Sequence, residues 1–369
     1  MRQHYVPRVY LKNFATKKGK EYFVNVYRKK TKENFKSNIK NICGEKNLYT
    51  LNEDDEDYFN PLIIEKGYAE FFEPLYEEAY KLLIDDAKIE ITDYERSIIL
   101  VAVFQFFFRN TKILNESIEY HKSKIAVTYK RCCEQRRTKF EYLGQTFHTD
   151  KELADQQKNF EEETRYSFKK DHISGFFELT KQNSFQSINI YKIIDDSKFV
   201  TSDNPLKNLN LKKSFKNPFQ KISQFILPLN EKYCLFLYND KTKEYNKIYR
   251  EETENGKAYR FNSDMIENAQ RFVIGNQNWI TETLQWEDII KNHYENDIHK
   301  LMALVKQMYV AIKVQGAPKE HLDVSIRATT SMLSKIIPFF LHKKKKHGLP
   351  RIQKRFSALR HEPKSLFRA

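Results

Sequence analysis

TDYERSIILVAVFQFFFRN, residues 92–110, is the stretch that decides the architecture. Thr92 and Glu95 carry the T-x-x-E pattern of a capping box, in which the hydroxyl and the carboxylate satisfy each other's backbone N–H groups at a helix start. The run at 97–108 that follows is apolar on every side apart from Ser97 and Gln105. A helix without a polar face has no side to turn to water, so it belongs at the centre of a helical core. It falls short of the roughly 20 apolar residues that a membrane-crossing helix needs.

Working outward, Ile63, Phe71, Phe72, Leu75, Tyr76, Leu82 and Leu83 recur at helical spacing and predict one amphipathic helix beside the first. An acidic loop at 52–57 separates it from YFVNVYR at 22–28, an alternating strand that follows a Lys/Gly turn at 17–20. Downstream, the polar stretch 122–170 predicts helix, insert, helix, with an aromatic hairpin at 140–147. From Ser187 the pattern becomes short β-branched and aromatic runs, SINIYKI, KFVTS, QFILPL and KYCLFLY, divided by Asp, Asn, Pro and Lys turns. These predict one antiparallel sheet of about four strands. Helical patterning returns at 263–275 and 283–314, where Trp286, Ile289, Ile290, His293 and Ile298 form an apolar face. The expected fold is α+β: an N-terminal strand segment, a central helical core, an antiparallel sheet and a helical C-terminal region. The expected organisation is a single domain over 1–315, an amphipathic helical extension at 316–341 and a basic, disordered tail at 342–369.

Composition removes several function classes. With 40% hydrophobic and 31% charged residues in 369, the chain is a soluble globular protein with length enough for a core. Neither GxGxxG nor GxxxxGK[ST] occurs, so no nucleotide cofactor is signalled. Cys43, Cys132, Cys133 and Cys234 fit neither a zinc ribbon nor a disulfide framework, and His293 and His299 lack zinc-ligand spacing. GxSxG is absent. The start, MRQHYVPRVY, has no signal-peptide core, and the expected location is the cytoplasm with no transmembrane segment. Charge is concentrated: residues 342–369 hold ten Lys/Arg against Glu362 alone, +9 of the total +15. HKKKKHG at 342–348 suits a phosphate backbone, making nucleic acid the expected partner of the tail.

Three positions stand out for chemistry. His4, in QHYVPRVYLKNF at 3–14, is held extended near Pro7 and is either presented to a ligand or bonded to a neighbouring loop. Asp203, in TSDNP at 201–205, follows a strand, where it meets a metal or phosphate or else caps its own turn. Arg109 ends the most apolar helix and requires a partner if buried; Asp203 or a glutamate from the row Glu70, Glu73, Glu77 would serve. That row is otherwise a solvated stripe.

QHYVPRVYLKNF, EKNLYTL at 45–51, the glutamate-rich helix, FQFFFRN at 104–110, FVTSDNP at 199–205, ILPLNEKYCLFLY at 226–238 and Asn268-Ala269 together resemble the bacterial family of domain of unknown function 4238, over residues 3–275. The resemblance implies that His4, Arg109 and Asp203 meet in one site, and associates the chain with conflict against phage or plasmid. Two functions compete. In a metal-assisted nuclease, Asp203 and Glu73 hold Mg2+ or Mn2+, His4 activates water or protonates the leaving oxygen, and Arg109 stabilises the phosphate. Gln3, Ser202 and Asn204 then contact substrate, with Lys343 and Lys344 retaining it. In a non-catalytic nucleic-acid- or protein-binding module, the same His, Arg and Asp form a buried network that locks the N-terminal segment onto the helical core. Exposure separates the two: an open cleft favours the enzyme and a closed core the network.

Overall fold

The computed structural model describes residues 2–53, 55, 60–209 and 224–294. The chain begins with β1 (Arg2–His4), a short helix α1 (Arg8–Leu11), β2 (Thr16–Lys18), β3 (Glu21–Arg28), β4 (Glu33–Asn38) and β5 (Gly44–Lys46). Then α2 (Ile63–Gly67) runs through a π-helical turn (Tyr68–Phe72) into α3 (Glu73–Ile84), followed by α4 (Asp93–Arg109) and α5 (Lys112–Glu134). The hairpin β6 (Lys139–Tyr142) and β7 (Gln145–His148) leads into α6 (Leu153–Gln182). The remainder is β8 (Ser187–Ile193), β9 (Thr201–Ser202), β10 (Lys207–Asn208), β11 (Phe225–Pro228), β12 (Tyr233–Tyr238), β13 (Ile248–Thr253), α7 (Asn255–Asn268), β14 (Phe272–Ile274) and α8 (Gln277–Tyr294). Met1–Asp288 form one compact unit. Of the division that follows, Ile289–Ala369, only the end of α8 is described.

The central helix is where its sequence puts it. Thr92 accepts from the Glu95 amide at 3.1 Å, and Glu95 accepts from the Thr92 amide at 2.8 Å. From there α4 packs between α3 and α6, and nearly every side chain after Ser97 is buried. Phe106 meets Tyr10 and Tyr76 with ring centroids 4.9 and 5.5 Å apart, while Phe104 sets its edge on Phe225 of β11 at 5.0 Å. One helix thereby touches the N-terminal segment, its helical neighbour and the sheet. Arg96, buried near the helix start, donates to the carbonyls of Ser184 and Tyr245 at 2.9 and 2.7 Å and to that of Gln186, tying down the connection out of α6.

Two five-stranded sheets flank this core. One has the order β10-β11-β12-β8-β13, antiparallel except that β13 runs parallel to β8. The other runs β2-β3-β14-β9, with β4 on the second edge of β3. Three of the four runs expected to share a sheet do so, as β8, β11 and β12. The KFVTS run does not: the side-chain oxygen of Asn262 takes the Val200 amide at 2.8 Å, and Thr201–Ser202 pair instead with β14 beside the N-terminal strands. β13 occupies the edge of β8. The expected helix at 263–275 ends at Asn268, because the FVI run of β14, with β-branched Val273 and Ile274, bonds strands on both sides. The insert is the expected hairpin, turning at Leu143 and Gly144 with φ of +49° and +81°, a tight turn that glycine eases.

All four cysteines are free thiols. Among the described residues no single helix is long and apolar enough to cross a membrane. The helical pattern beyond 294, the extension at 316–341 and the tail at 342–369 lie outside the described residues. Replacing the fully buried Phe104 with alanine is expected to cost about 3–5 kcal/mol, against about 0.5 kcal/mol or less for Tyr94→Ala, whose side chain is 69% exposed. Urea unfolding of the two variants measures both.

Candidate functional site

The polar residues of the N-terminal segment are gripped one by one. β1 pairs with β5 in the register Gln3↔Glu45 and His4↔Gly44, and a Cβ at Gly44 would lie 3.1 Å from the Gln3 carbonyl oxygen, so glycine admits this approach. Gln3 is fully buried. Its Oε1 accepts from the Tyr49 amide at 2.6 Å and its Nε2 donates to Thr50 Oγ1 at 3.0 Å. The Tyr5 amide donates to the Cys43 carbonyl at 3.0 Å, and the Tyr10 hydroxyl bonds Thr201 Oγ1 at 2.5 Å and the Pro228 carbonyl at 2.7 Å.

Arg109, the last residue of α4, is 1% exposed and forms the first knot. Its Nε donates to the His4 carbonyl at 3.0 Å, its Nη2 pairs with Glu73 Oε1 at 3.0 Å, and its guanidinium lies 4.0 Å from the centre of the Tyr68 ring. Tyr49 donates its hydroxyl to the Arg109 carbonyl and stacks on His172 at 5.3 Å. The Nδ1 of His172 faces the Phe168 and Lys169 carbonyls, fixing the proton there, so Nε2 accepts from the Tyr68 hydroxyl at 2.8 Å. Burial lowers the His172 pKa to about 4. Burial, with Arg8 and Arg109 nearby, also holds His4 below its ordinary value, and burial raises Glu65. Among the described residues, His4 Nε2, Glu65 Oε2 and Arg109 Nη1 are buried with no hydrogen-bond partner.

Asp203 forms a second knot. It is fully buried, its Oδ1 accepting from the Gln270 amide and its Oδ2 from the Arg271 amide, both at 2.8 Å. Burial outweighs these amides and raises its pKa. Its backbone amide reaches the Phe272 carbonyl at 3.0 Å, and its carbonyl accepts from Asn110, the residue after Arg109. Ser202 closes on the amide and carbonyl of Asn204, and Asn268 Nδ2 donates to the Asn204 carbonyl at 2.7 Å. Arg271 continues to the Tyr5 hydroxyl at 2.6 Å and Glu45 at 2.8 Å.

The structure therefore brings His4, Arg109 and Glu73 together with Gln3 alongside, and seats Asp203, Ser202 and Asn204 in a separate knot joined through Asn110. Glu73 faces a guanidinium and Asp203 faces backbone amides, so the two carboxylates are not a pair. No group of three His, Cys, Asp or Glu that would hold a metal ion gathers among the described residues. Lys343 and Lys344 lie outside them. Sequence reasoning missed Tyr68, His172 and Arg271. A buried arginine's need for an aromatic face or carboxylate was the available signal for the first; nothing local marks the others.

A family model described as protein of unknown function (DUF4238) matches residues 2–278, a span that contains both knots. No curated protein and no solved structure matches the chain.

The depressed His172 pKa sets a pH dependence. The unfolded chain binds this proton near pH 6.5 and the folded protein only near 4, so its contribution is complete above 6.5 and lost as pH falls through that interval. Between about pH 7 and about pH 4 the wild type is expected to lose about 3 kcal/mol more than His172→Gln in urea unfolding. Equal losses would contradict the assignment.

Proposed function

Since the chain belongs to the DUF4238 family of proteins of unknown function, we propose that it is a non-catalytic nucleic-acid-binding module whose His4, Arg109 and Asp203 serve as a structural latch. The observation that carries the reading is the burial of the two charged residues: Arg109 and Asp203 are 1% and 0% exposed. Both oxygens of Asp203 are occupied by amides. A carboxylate so placed has no open face for a metal-bound substrate, and a glutamate bonded to a guanidinium has its charge already answered. These features favour the latch over metal-assisted phosphodiester hydrolysis.

Nucleic acid as the partner rests on charge distribution. The segment 342–369 carries +9 of the +15, and its Lys343–Lys346 run supplies phosphate contacts without base recognition. Affinity of that kind falls steeply with salt because counterions are released.

Fluorescence anisotropy of the full chain with labelled DNA and RNA across a salt series tests this. Replacing all four lysines, Lys343 to Lys346, with alanine is expected to reduce the slope of log affinity against log salt by about three to four. Binding that is absent, or indifferent to these lysines, would overturn the assignment of partner. Cleavage in magnesium or manganese, lost with chelator and in Asp203→Ala, would overturn the latch and restore the nuclease.

A further inference from the structure

A separate cavity of about 420 Å³ opens between the turn at 45–49, the start of α5 and the middle of α6. Its volume lies in the range of small-molecule sites. Three cations line it, Lys46, Arg165 and Lys169, with Leu48 and Phe168 among the apolar lining. The acid in the lining, Glu45, is already engaged by Arg271 at 2.8 Å, and Arg165 pairs with Glu161 at 2.8 Å. Lys46 and Lys169 have no carboxylate partner among the described residues.

Two independent observations set this cavity apart from an ordinary surface groove. Lys169 is half-buried, bonded only to the Thr50 carbonyl at 3.1 Å, and desolvation lowers its pKa with no nearby acid opposing it. An ammonium withdrawn from water without a counter-charge is unfavourable on its own and is relieved by a bound anion. Leu48, Leu114 and Phe168 give the cavity an apolar wall beside these cations.

We propose that this cavity binds a phosphate monoester of nucleotide size, with the phosphate at Lys169 and Lys46 and a planar ring against Leu48 and Phe168. The requirement for both ends follows from the lining: cations alone would take inorganic phosphate, and the apolar wall adds the ring. The site does not depend on the basic tail.

Calorimetric titration of the full chain with AMP, adenosine and inorganic phosphate tests the proposal. AMP is expected to bind at millimolar concentration or below, with adenosine and phosphate each weaker by about tenfold or more. Lys169→Met is expected to weaken AMP by about tenfold or more while its thermal midpoint is unchanged or higher, since a desolvated charge has been removed. Replacement of the four tail lysines leaves AMP affinity unchanged, which separates this site from the proposed nucleic-acid contact. No heat with AMP, equal affinity for phosphate alone, or wild-type affinity in folded Lys169→Met would each overturn it.

Discussion

The guanidinium of Arg109 is the interaction on which the rest of the architecture depends. It sits at the end of a helix whose preceding side chains are almost all apolar and buried, so its charge must be answered inside the protein. The His4 carbonyl answers it from the N-terminal strand, and the Glu73 carboxylate and the face of Tyr68 answer it from the π-helical turn and the start of α3. A single buried charge thereby fixes the N-terminal strand, the π-helical turn and α3 relative to α4. An apolar residue there would lose these directed bonds, because hydrophobic packing is non-directional.

The second knot works by the same logic with the sign reversed. Asp203 is a buried anion, and the backbone amides of residues 270 and 271 answer it. Arg271 then reaches the Tyr5 hydroxyl, so the N-terminal segment is held at His4 from one side and at Tyr5 from the other. Asn110 bridges the knots by donating to the Asp203 carbonyl. Histidine, arginine and aspartate at separated motif positions invite a catalytic interpretation. Here Asp203 accepts from backbone amides, and Arg109 bonds the His4 carbonyl and the Glu73 carboxylate, which suits a latch that holds a binding scaffold.

Much of the fold was legible because its causes are local. The capping box at Thr92 and Glu95, the apolar circumference of α4, the turn at Leu143 and Gly144 and the strands β3, β8, β11 and β12 depend on residues near one another in sequence. The placement of β9 was not legible, since its departure depends on Asn262, some sixty residues downstream, taking the Val200 amide. β13 pairs in parallel with β8, and nothing within its own six residues specifies that partner. The site divides the same way. A buried arginine demanded a partner and a glutamate row was available, which anticipates Glu73. The partners of Asp203 are main-chain N–H groups, which every non-proline residue carries, so no residue type pointed to them. Tyr49 and Tyr68 were hidden among 22 tyrosines, with no spacing to distinguish the two that touch Arg109.

The central claim is that Arg109 and Asp203 hold the N-terminal segment rather than reacting with a substrate. Amide hydrogen exchange on wild type, Arg109→Met and Asp203→Asn measures that directly. The account predicts that the Tyr5 amide, bonded to the Cys43 carbonyl, exchanges faster in both variants, and that the amides of residues 270 and 271 do so in Asp203→Asn. Wild-type protection at those amides in both folded variants would contradict it.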